Sequence, residues 1–273
     1  MIAESLTRNL DHQLAKAPEL RNLAYSVVVA EHKQRFTRPQ RLALLIFYRS
    51  LQTHEAVEVL IRRQIVEDAR ILERVLVEHS VNCAYMLTVA DDNAADDFLY
   101  YPKYWRHKIL AVLKHTDESR LRRSVSIELE KEVRMESDSL QSRFKGRRNG
   151  EWCADGQLHR RAAKVDEKLG INLELPSYAE FRWMVNSEWR FAGSHVHGMA
   201  DALLDQLSHA DGVTTIEQRF DRVDAAGALY SANFALALVV PLADGLLGHR
   251  YSSEISKRLG EFTGHSGKVV QDG

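Results

Sequence analysis

Apolar residues recur every three to four positions along most of this chain, the spacing of one face of an α-helix. Alternation with period two, which would indicate strands, is almost absent. The pattern therefore predicts an all-α fold, a multi-helix bundle in which long helices pack antiparallel through short connections. The predicted helices span 3–16, 19–35, 39–52, 54–90, 94–114, 117–145, 157–169, 177–208 and 221–263.

Turn-forming residues set several of these boundaries. Pro18 is expected to end the first helix, because proline lacks a backbone donor. Gly170 stands where a helix commonly ends in the left-handed conformation. Ser177 is a candidate N-cap, with Glu180 three residues later completing a capping box. A linker is expected over 145–156 and a loop near Asp211 and Gly212.

The same pattern divides the chain into an N-terminal helical extension over 1–38, a bundle domain over 39–264 and a loose tail over 265–273. One segment, 225–243, has no charged residue and is long enough to raise the question of a membrane span. It is rich in alanine and contains Ser231, Asn233 and Pro241. We therefore interpret it as the central buried helix of the bundle.

Composition adds few constraints. The 273 residues carry 37 Lys and Arg against 38 Asp and Glu, a net charge of −1, so any site for a polyanion must be local. Cys83 and Cys153 cannot build a disulfide framework, and no zinc spacing is present. The polar N-terminus does not resemble a signal peptide. We expect a cytoplasmic protein without a cofactor.

Candidate chemistry concentrates at Arg190, Ser194 and His197. On a helical wheel of about 100° per residue, Ser194 lies about 40° and His197 about −20° from Arg190. A permanent cation, a hydroxyl and a group that titrates near neutral pH would thus share one face. This set suits phosphate chemistry without a metal, although a lone helical histidine is more often structural.

His195 and His197 also invite a metal interpretation. His195 lies about 140° from Arg190 on the wheel, so it is expected to point elsewhere. Two imidazoles two residues apart diverge on a helix and cannot bind one ion. No His-Glu-x-x-His pair accompanies them, and we predict no metal site.

Arg70 and Glu73 lie among aliphatic residues on one stripe of the predicted 54–90 helix, three residues apart and within reach of each other. One interpretation is an ion pair at a helix edge, exposed to water. The other is a buried pair that orients the Arg190 face from across the bundle, because buried charges need partners.

Two further segments could contact nucleic acid. The stretch 98–108 interleaves aromatic residues with Lys103 and Arg106, which suits base stacking and phosphate contacts but also a plain helix start packed on its neighbours. The most basic local patch lies around Gly146, in a predicted loop, and is either solvated or an RNA contact. Its cations are Arg143, Lys145, Arg147 and Arg148. A second Arg-x4-His, Arg49 to His54, straddles a predicted helix boundary and is interpreted as chance.

Three sequence motifs, in the order in which they follow along the chain, resemble those of a large bacterial family of all-helical proteins of unknown function. They are Arg70-x-x-Glu73, then Trp152 before a helix ending at Gly170, then Tyr178 with Arg190 and Ser194-His195-Val196-His197-Gly198. The resemblance covers about residues 40–210.

Arg190-x4-His195 and Arg190-x6-His197 both resemble the Arg-x4-6-His signature of the HEPN superfamily, named for higher eukaryotes and prokaryotes nucleotide-binding domains. The resemblance implies a metal-independent ribonuclease of toxin–antitoxin or phage-defence type, acting as a homodimer. Arg190, Ser194 and His197 would be catalytic, supported by Arg70, Glu73 and His195. Phe191 departs from the common pattern, in which a polar residue follows the arginine.

The rival hypothesis is a non-catalytic helical protein that binds a partner or a nucleotide, with Arg190, Glu73 and His197 as an internal polar network.

Overall fold

The computed structural model describes residues 2–29, 35–115, 131, 139–147, 151–170, 181–190, 192, 207–210, 213–216 and 220–263. The all-α bundle is confirmed. Its helices are α1 (Ile2–Val29), α2 (Arg38–Arg62), α3 (Val66–Thr88), α4 (Asp92–His115), α5 (Leu158–Lys168), α6 (Phe181–Met184), α7 (Arg222–Leu246) and α8 (Ser252–Thr263). A π-helix, Val185–Trp189, continues α6 and is called the π turn below.

The core forms around α7, which packs against α1, α2 and α3. α7 is long and apolar enough to cross a membrane, but 72% of its most apolar window is buried inside the bundle. This agrees with the predicted central helix. α1 contributes Leu10, Leu20 and Val27 to the same hydrophobic core.

The predicted break at Pro18 is wrong, since α1 runs through it. A proline inside a helix leaves the carbonyl four residues earlier without its amide donor. That carbonyl belongs to Leu14, and Arg62 Nη2 of α2 donates to it at 2.9 Å. A side chain from another helix thus satisfies the acceptor that Pro18 cannot, and α1 remains continuous.

The predicted 54–90 helix is divided. α2 continues to Arg62 and α3 begins at Val66, with Gln64 at φ 63° between them. The Gln64 amide bonds to the Ile61 carbonyl and the Ile65 amide to the Leu60 carbonyl. These two bonds form a Schellman motif, in which glutamine occupies the left-handed position that glycine usually takes.

The predicted 221–263 helix is also divided, into α7 and α8. Gly248 has φ 99°, and the His249 amide bonds to the Asp244 carbonyl, which ends α7 in a second Schellman motif. The Asp244 carboxylate then accepts from the Tyr251 amide and the Ser252 hydroxyl at the start of α8.

Other boundaries agree with the sequence. Gly170 follows α5 with φ 62°, as predicted. Two short antiparallel strands, β1 (Leu207–Ala210) and β2 (Val213–Ile216), show that the predicted 177–208 helix stops before its expected end. The predicted loop at 211–212 lies outside the described residues. Ser177, Glu180 and most of the predicted 117–145 helix lie outside the described residues.

Candidate functional site

Arg70 and Glu73 form the ion pair that their spacing predicts. Arg70 Nη1 donates to Glu73 Oε2 at 2.8 Å, and Arg70 Nε donates to Asp224 Oδ1 at 2.9 Å. Arg70 is 4% exposed and Glu73 is completely buried. The interpretation as an exposed helix-edge pair is therefore wrong. The pair fastens α3 to the first turn of α7.

Gly227 of α7 makes room for the Arg70 guanidinium. A Cβ atom at this position would lie 2.7 Å from Arg70 Nη2, closer than real Cβ contacts allow. Arg70 Nη2 also donates to the Asp224 carbonyl at 3.0 Å, so the guanidinium cannot easily move away. A side chain at Gly227 would displace a buried cation from its partners.

Ser231 and Glu188 complete this cluster. The Ser231 hydroxyl of α7 donates to Glu188 Oε2 of the π turn. Ser231 also lies close enough to Glu73 to lower the pKa of its carboxyl, while the Glu188 charge raises that pKa. We call Arg70, Glu73, Glu188, Asp224 and Ser231 the Glu73 cluster. It joins α3, the π turn and α7.

Burial dominates the acidity of Glu73. The loss of hydration raises the pKa of its carboxyl to about 8, despite the opposing charge and hydrogen bond of Arg70. Glu73 Oε1 is buried and has no hydrogen-bond partner among the described residues. A neutral, protonated Glu73 is therefore the form that this environment favours at neutral pH.

The π turn is anchored at both of its ends. Upstream, the buried Asp166 carboxylate accepts from the Phe181 amide at 3.0 Å and the Arg182 amide at 2.9 Å. These contacts satisfy backbone donors of the kind left open in the first turn of a helix. Downstream, Trp189 Nε1 donates to Glu78 Oε1 at 2.9 Å.

The Trp189 side chain is also covered by α3, because the Arg74 guanidinium carbon lies 3.9 Å from its ring centroid. Arg190 follows Trp189 directly and is exposed. The structure thus presents the predicted catalytic arginine at the surface, next to a tryptophan that α3 fixes in place. Ser194, His195 and His197 lie outside the described residues, and their shared face with Arg190 stays a prediction.

The predicted basic patch is engaged with the protein itself at two of its four positions. Arg143 Nε donates to Asp97 Oδ1 at 2.5 Å, and Arg147 Nη1 lies 2.8 Å from Asp97 Oδ2. Arg147 also donates to the Trp152 carbonyl at 2.5 Å. These arginines hold residues 139–147 against α4. Lys145 is exposed, and Arg148 lies outside the described residues.

Part of the aromatic stretch 98–108 packs in the hydrophobic core. Tyr101 and Tyr104 are buried, and both rings pack against Phe144. Tyr100 is 38% exposed, with Lys103 Nζ at 5.5 Å and the Arg143 guanidinium at 5.3 Å from its ring centroid.

Arg106, the other cation of this stretch, is exposed. A cavity of about 700 Å³ lies beside Tyr100, lined by Asp96, Tyr100, Ser139, Leu140, Ser142 and Arg143. The predicted roles of Lys103 and Arg106 in nucleic-acid binding stay predictions.

His54 and Arg49 diverge in the structure. The buried His54 Nε2 lies 2.7 Å from Asn233 Oδ1 of α7, whereas the exposed Arg49 donates to Gln52 Oε1. Asn233 Nδ2 donates in turn to Gln13 Oε1 of α1 at 2.8 Å. Burial lowers the pKa of His54 to about 4, so the imidazole is neutral. Arg49-x4-His54 is thus not a shared patch.

Sequence reasoning missed Asp224, Glu188, Ser231 and Gly227. From the sequence, Asp224 is recognisable only as an acidic residue in the first turn of α7, after the N-cap Asp221. No regular spacing in the sequence connects Glu188 or Ser231 to Glu73. Among the described residues, no group of three His, Cys, Asp or Glu side chains is placed to hold a metal ion. The histidine pair at 195 and 197 is outside them.

The sequence comparisons identify a family. The model of a family described as "Family of unknown function (DUF5677)" matches residues 40–214. Because this match covers more than half of the chain, the protein belongs to that family. No curated protein and no solved structure matches the chain. The predicted membership in a family of unknown function is confirmed, and the HEPN resemblance stays a hypothesis.

Proposed function

We propose that the protein is a HEPN-like, metal-independent endoribonuclease of the cytoplasm, with its active surface at Arg190, Ser194 and His197. The exposure of Arg190 carries this proposal. The arginine stands at the end of a π turn that Asp166 and Glu78 anchor on either side, so its cation is held at the surface. π-helical turns are frequent at functional sites.

The proposed chemistry divides between three side chains. His197 removes the proton of an RNA 2′-hydroxyl, or protonates the leaving 5′-oxygen, a role suited to a pKa near neutrality. The 2′-oxygen bonds to phosphorus as the bond to the 5′-oxygen breaks. Arg190 neutralises the charge that develops on the phosphate. Ser194 orients the phosphate or the imidazole, and His195, Arg70 and Glu73 are supporting residues.

The basic residues near α4 would guide the RNA backbone. Of these, Lys145 and Arg106 are exposed, whereas Arg143 and Arg147 already pair with Asp97. We expect the first two to contribute more to RNA binding. Their effect should depend on salt, because phosphate contacts release counterions. A homodimer and an antitoxin or defence partner belong to the same proposal.

An RNA-cleavage assay in EDTA tests this function. Wild type should cleave RNA and leave a 2′,3′-cyclic phosphate and a 5′-hydroxyl. His197→Ala should lower the rate by about 10²–10⁴ if the imidazole is the acid–base group. His159→Ala, which alters an exposed histidine of α5, is the matched control and should retain full activity. Activity lost in EDTA and restored by a divalent ion would refute the mechanism.

The second candidate is a non-catalytic protein that binds a partner or nucleotide. Its support is the closure of the Glu73 cluster, because Arg70, Glu73 and Ser231 are all buried. Arg70 bonds to Glu73 and to Asp224 of α7, and Ser231 bonds to Glu188 of the π turn. Such a network stabilises a fold without touching a ligand. A homogeneous wild-type protein that binds RNA or a protein but cleaves no RNA would favour this candidate.

A further inference from the structure

The Glu73 cluster contains more acid than base. Glu73, Glu188 and Asp224 bring three carboxyl groups around one guanidinium, that of Arg70. Arg70 is fully engaged, since it bonds to Glu73 Oε2, to Asp224 Oδ1 and to the Asp224 carbonyl. One cation cannot neutralise three buried or half-buried carboxylates, and isolated charges are costly to bury.

The cluster also contains an unsatisfied acceptor. Glu73 Oε1 is buried without a hydrogen-bond partner among the described residues, whereas Oε2 accepts from Arg70. Ser231 has one hydroxyl hydrogen, and it is directed to Glu188 Oε2. If both glutamates were ionised, two negative carboxylates would therefore lie beside one hydroxyl that serves only one of them.

We infer that Glu73 carries a proton on Oε1 in the folded protein and that this proton joins it, through Ser231, to Glu188, so that α3 holds the π turn that presents Arg190. The proton turns the partnerless oxygen into a donor, and we assign Ser231, which lies close enough to influence the pKa of the Glu73 carboxyl, as its acceptor. Glu73, Ser231 and Glu188 are then positioning residues for Arg190, two residues beyond Glu188 in the chain.

The groups that act on this proton come from each side of the cluster. Arg70 of α3 favours the ionised form of Glu73, whereas burial and the Glu188 charge of the π turn favour the protonated form. Ser231 of α7 would favour the ionised form only by donating to Glu73, and its hydrogen is instead directed to Glu188. Asp224 of α7 acts by sharing Arg70.

Infrared spectroscopy of the full chain reads this proton directly, through the carbonyl stretch of a protonated carboxylic acid. Wild type should show this band at pH 6 and lose it around pH 8. Glu73→Gln should lack the band at every pH at which the other Asp and Glu side chains are ionised. The control Glu167→Gln alters a carboxylate of α5 that is 73% exposed and should leave the band unchanged.

Two partner variants should each move the midpoint of the band to lower pH. Glu188→Gln removes a like charge, so Glu73 should lose its proton at lower pH. Ser231→Ala removes the proposed acceptor of the Glu73 proton, so the proton should again be lost at lower pH. Loss at higher pH would show that Ser231 donates to ionised Glu73 and would refute the bridge to Glu188. These shifts keep the inference testable even if Glu73→Gln does not fold, and equal midpoints in all three proteins would overturn it.

Amide hydrogen exchange tests the positioning role. Above pH 8 the amides of 185–190 should exchange faster in wild type than in Glu73→Gln, because ionised Glu73 repels Glu188. Amides of α7 around Asn233 should exchange alike in both proteins and serve as the reference. If the amides of 185–190 were equally protected in both proteins at every pH, the positioning role of Glu73 would be refuted. Neither measurement involves RNA, so this inference stands or falls independently of the proposed nuclease.

Discussion

Two buried polar clusters bind the same central helix, and they are built on opposite principles. The first, which we call the His54 chain, consists of His54, Asn233, Gln13 and Asn9. His54 Nε2 donates to Asn233 Oδ1, Asn233 Nδ2 to Gln13 Oε1 and Gln13 Nε2 to Asn9 Oδ1. The chain carries no net charge, and each donor along it meets an acceptor.

The Glu73 cluster instead buries charge that its members cannot balance. Among the described residues Glu73 Oε1 has no hydrogen-bond partner, and burial raises the pKa of the Glu73 carboxyl to about 8. A satisfied network fixes a unique packing, whereas a partly satisfied one costs free energy and responds to protons. The His54 chain therefore secures α1 and α2 to α7, whereas the Glu73 cluster is where the fold departs from best stability, as functional regions often do.

The largest effect should come from removing the cation of the Glu73 cluster. Arg70→Met leaves Asp224 and, at high pH, ionised Glu73 without their cation, and breaking a buried pair in this way should cost about 3–5 kcal/mol of unfolding free energy at pH 8.5. The loss should be smaller at pH 5 than at pH 8.5, because protonated Glu73 needs no cation. Urea unfolding at both pH values measures it.

Arg38→Met provides the matched control for that variant. Arg38 pairs with Asp96 at the surface, where its side chain is 48% exposed, and such pairs contribute about 0–1 kcal/mol. If Arg70→Met cost no more than Arg38→Met, the buried cluster would not have the strength assigned to it.

The second largest effect should be the loss of folding stability in acid that results from protonation of His54. The pKa of His54 falls from its ordinary 6.5 to about 4 because of burial, so the unfolded chain binds the extra proton first as pH falls. Stability due to neutral His54 is present above pH 6.5 and is lost towards pH 4. The size is about 3 kcal/mol, at about 1.4 kcal/mol per pKa unit.

His54→Gln should remove this part of the acid sensitivity. The pKa of His79 is also lowered to about 4 by burial, so its separate contribution should remain in the variant. Glu73 acts with the opposite sign, since its raised pKa favours the folded state as pH falls from about 8 to 4.5. The difference between wild type and His54→Gln therefore isolates His54, and a constant difference from pH 4 to 7 would contradict the prediction.

Two glycines of α7 differ in what a methyl group would meet, and their substitution should change stability less than the loss of Arg70. Gly227→Ala places a methyl group 2.7 Å from Arg70 Nη2 and should destabilise by about 1–3 kcal/mol. Gly245→Ala meets only the exposed His249 ring, at 3.2 Å, and should be neutral or stabilise by up to about 1 kcal/mol. Thermal unfolding compares them, and equal melting temperatures would mean that Arg70 yields easily.

The smallest change in stability is expected at Arg190. Because its side chain is exposed, Arg190→Lys should alter the unfolding free energy by no more than about ±0.5 kcal/mol. RNA cleavage or binding should nevertheless fall, since lysine lacks the planar fork of donors. A large loss of stability would instead place Arg190 within a structural network.

The sequence predicted the parts of this molecule that depend on local pattern. The all-α class, the end of α5 at Gly170 and the Arg70–Glu73 pair follow from periodicity and turn chemistry. The continuity of α1 did not, because Arg62 repairs the effect of Pro18 from another helix. The break at Gln64 was equally hidden, since glutamine is not a residue that favours positive φ.

The candidate site divides in the same way. Glu73 could be singled out because an acid stood in an apolar stripe, whereas Ser231 and Glu188 carry no such signal. They meet only after α7 and the π turn pack on α3, and residues 43 apart in sequence become hydrogen-bonded. Periodicity identifies which residues face inward but not which inward-facing residues from different helices meet.

The bond between Gln13 and Asn233 has a consequence for synthesis of the chain. It joins residues 220 positions apart, and α1 has much of its core surface against α7. At about 5–20 residues per second, translation separates the emergence of these partners by about 10–40 s. During that interval the apolar face of α1 lacks its native cover, so this helix is the segment that a chaperone at the ribosome would have most reason to hold.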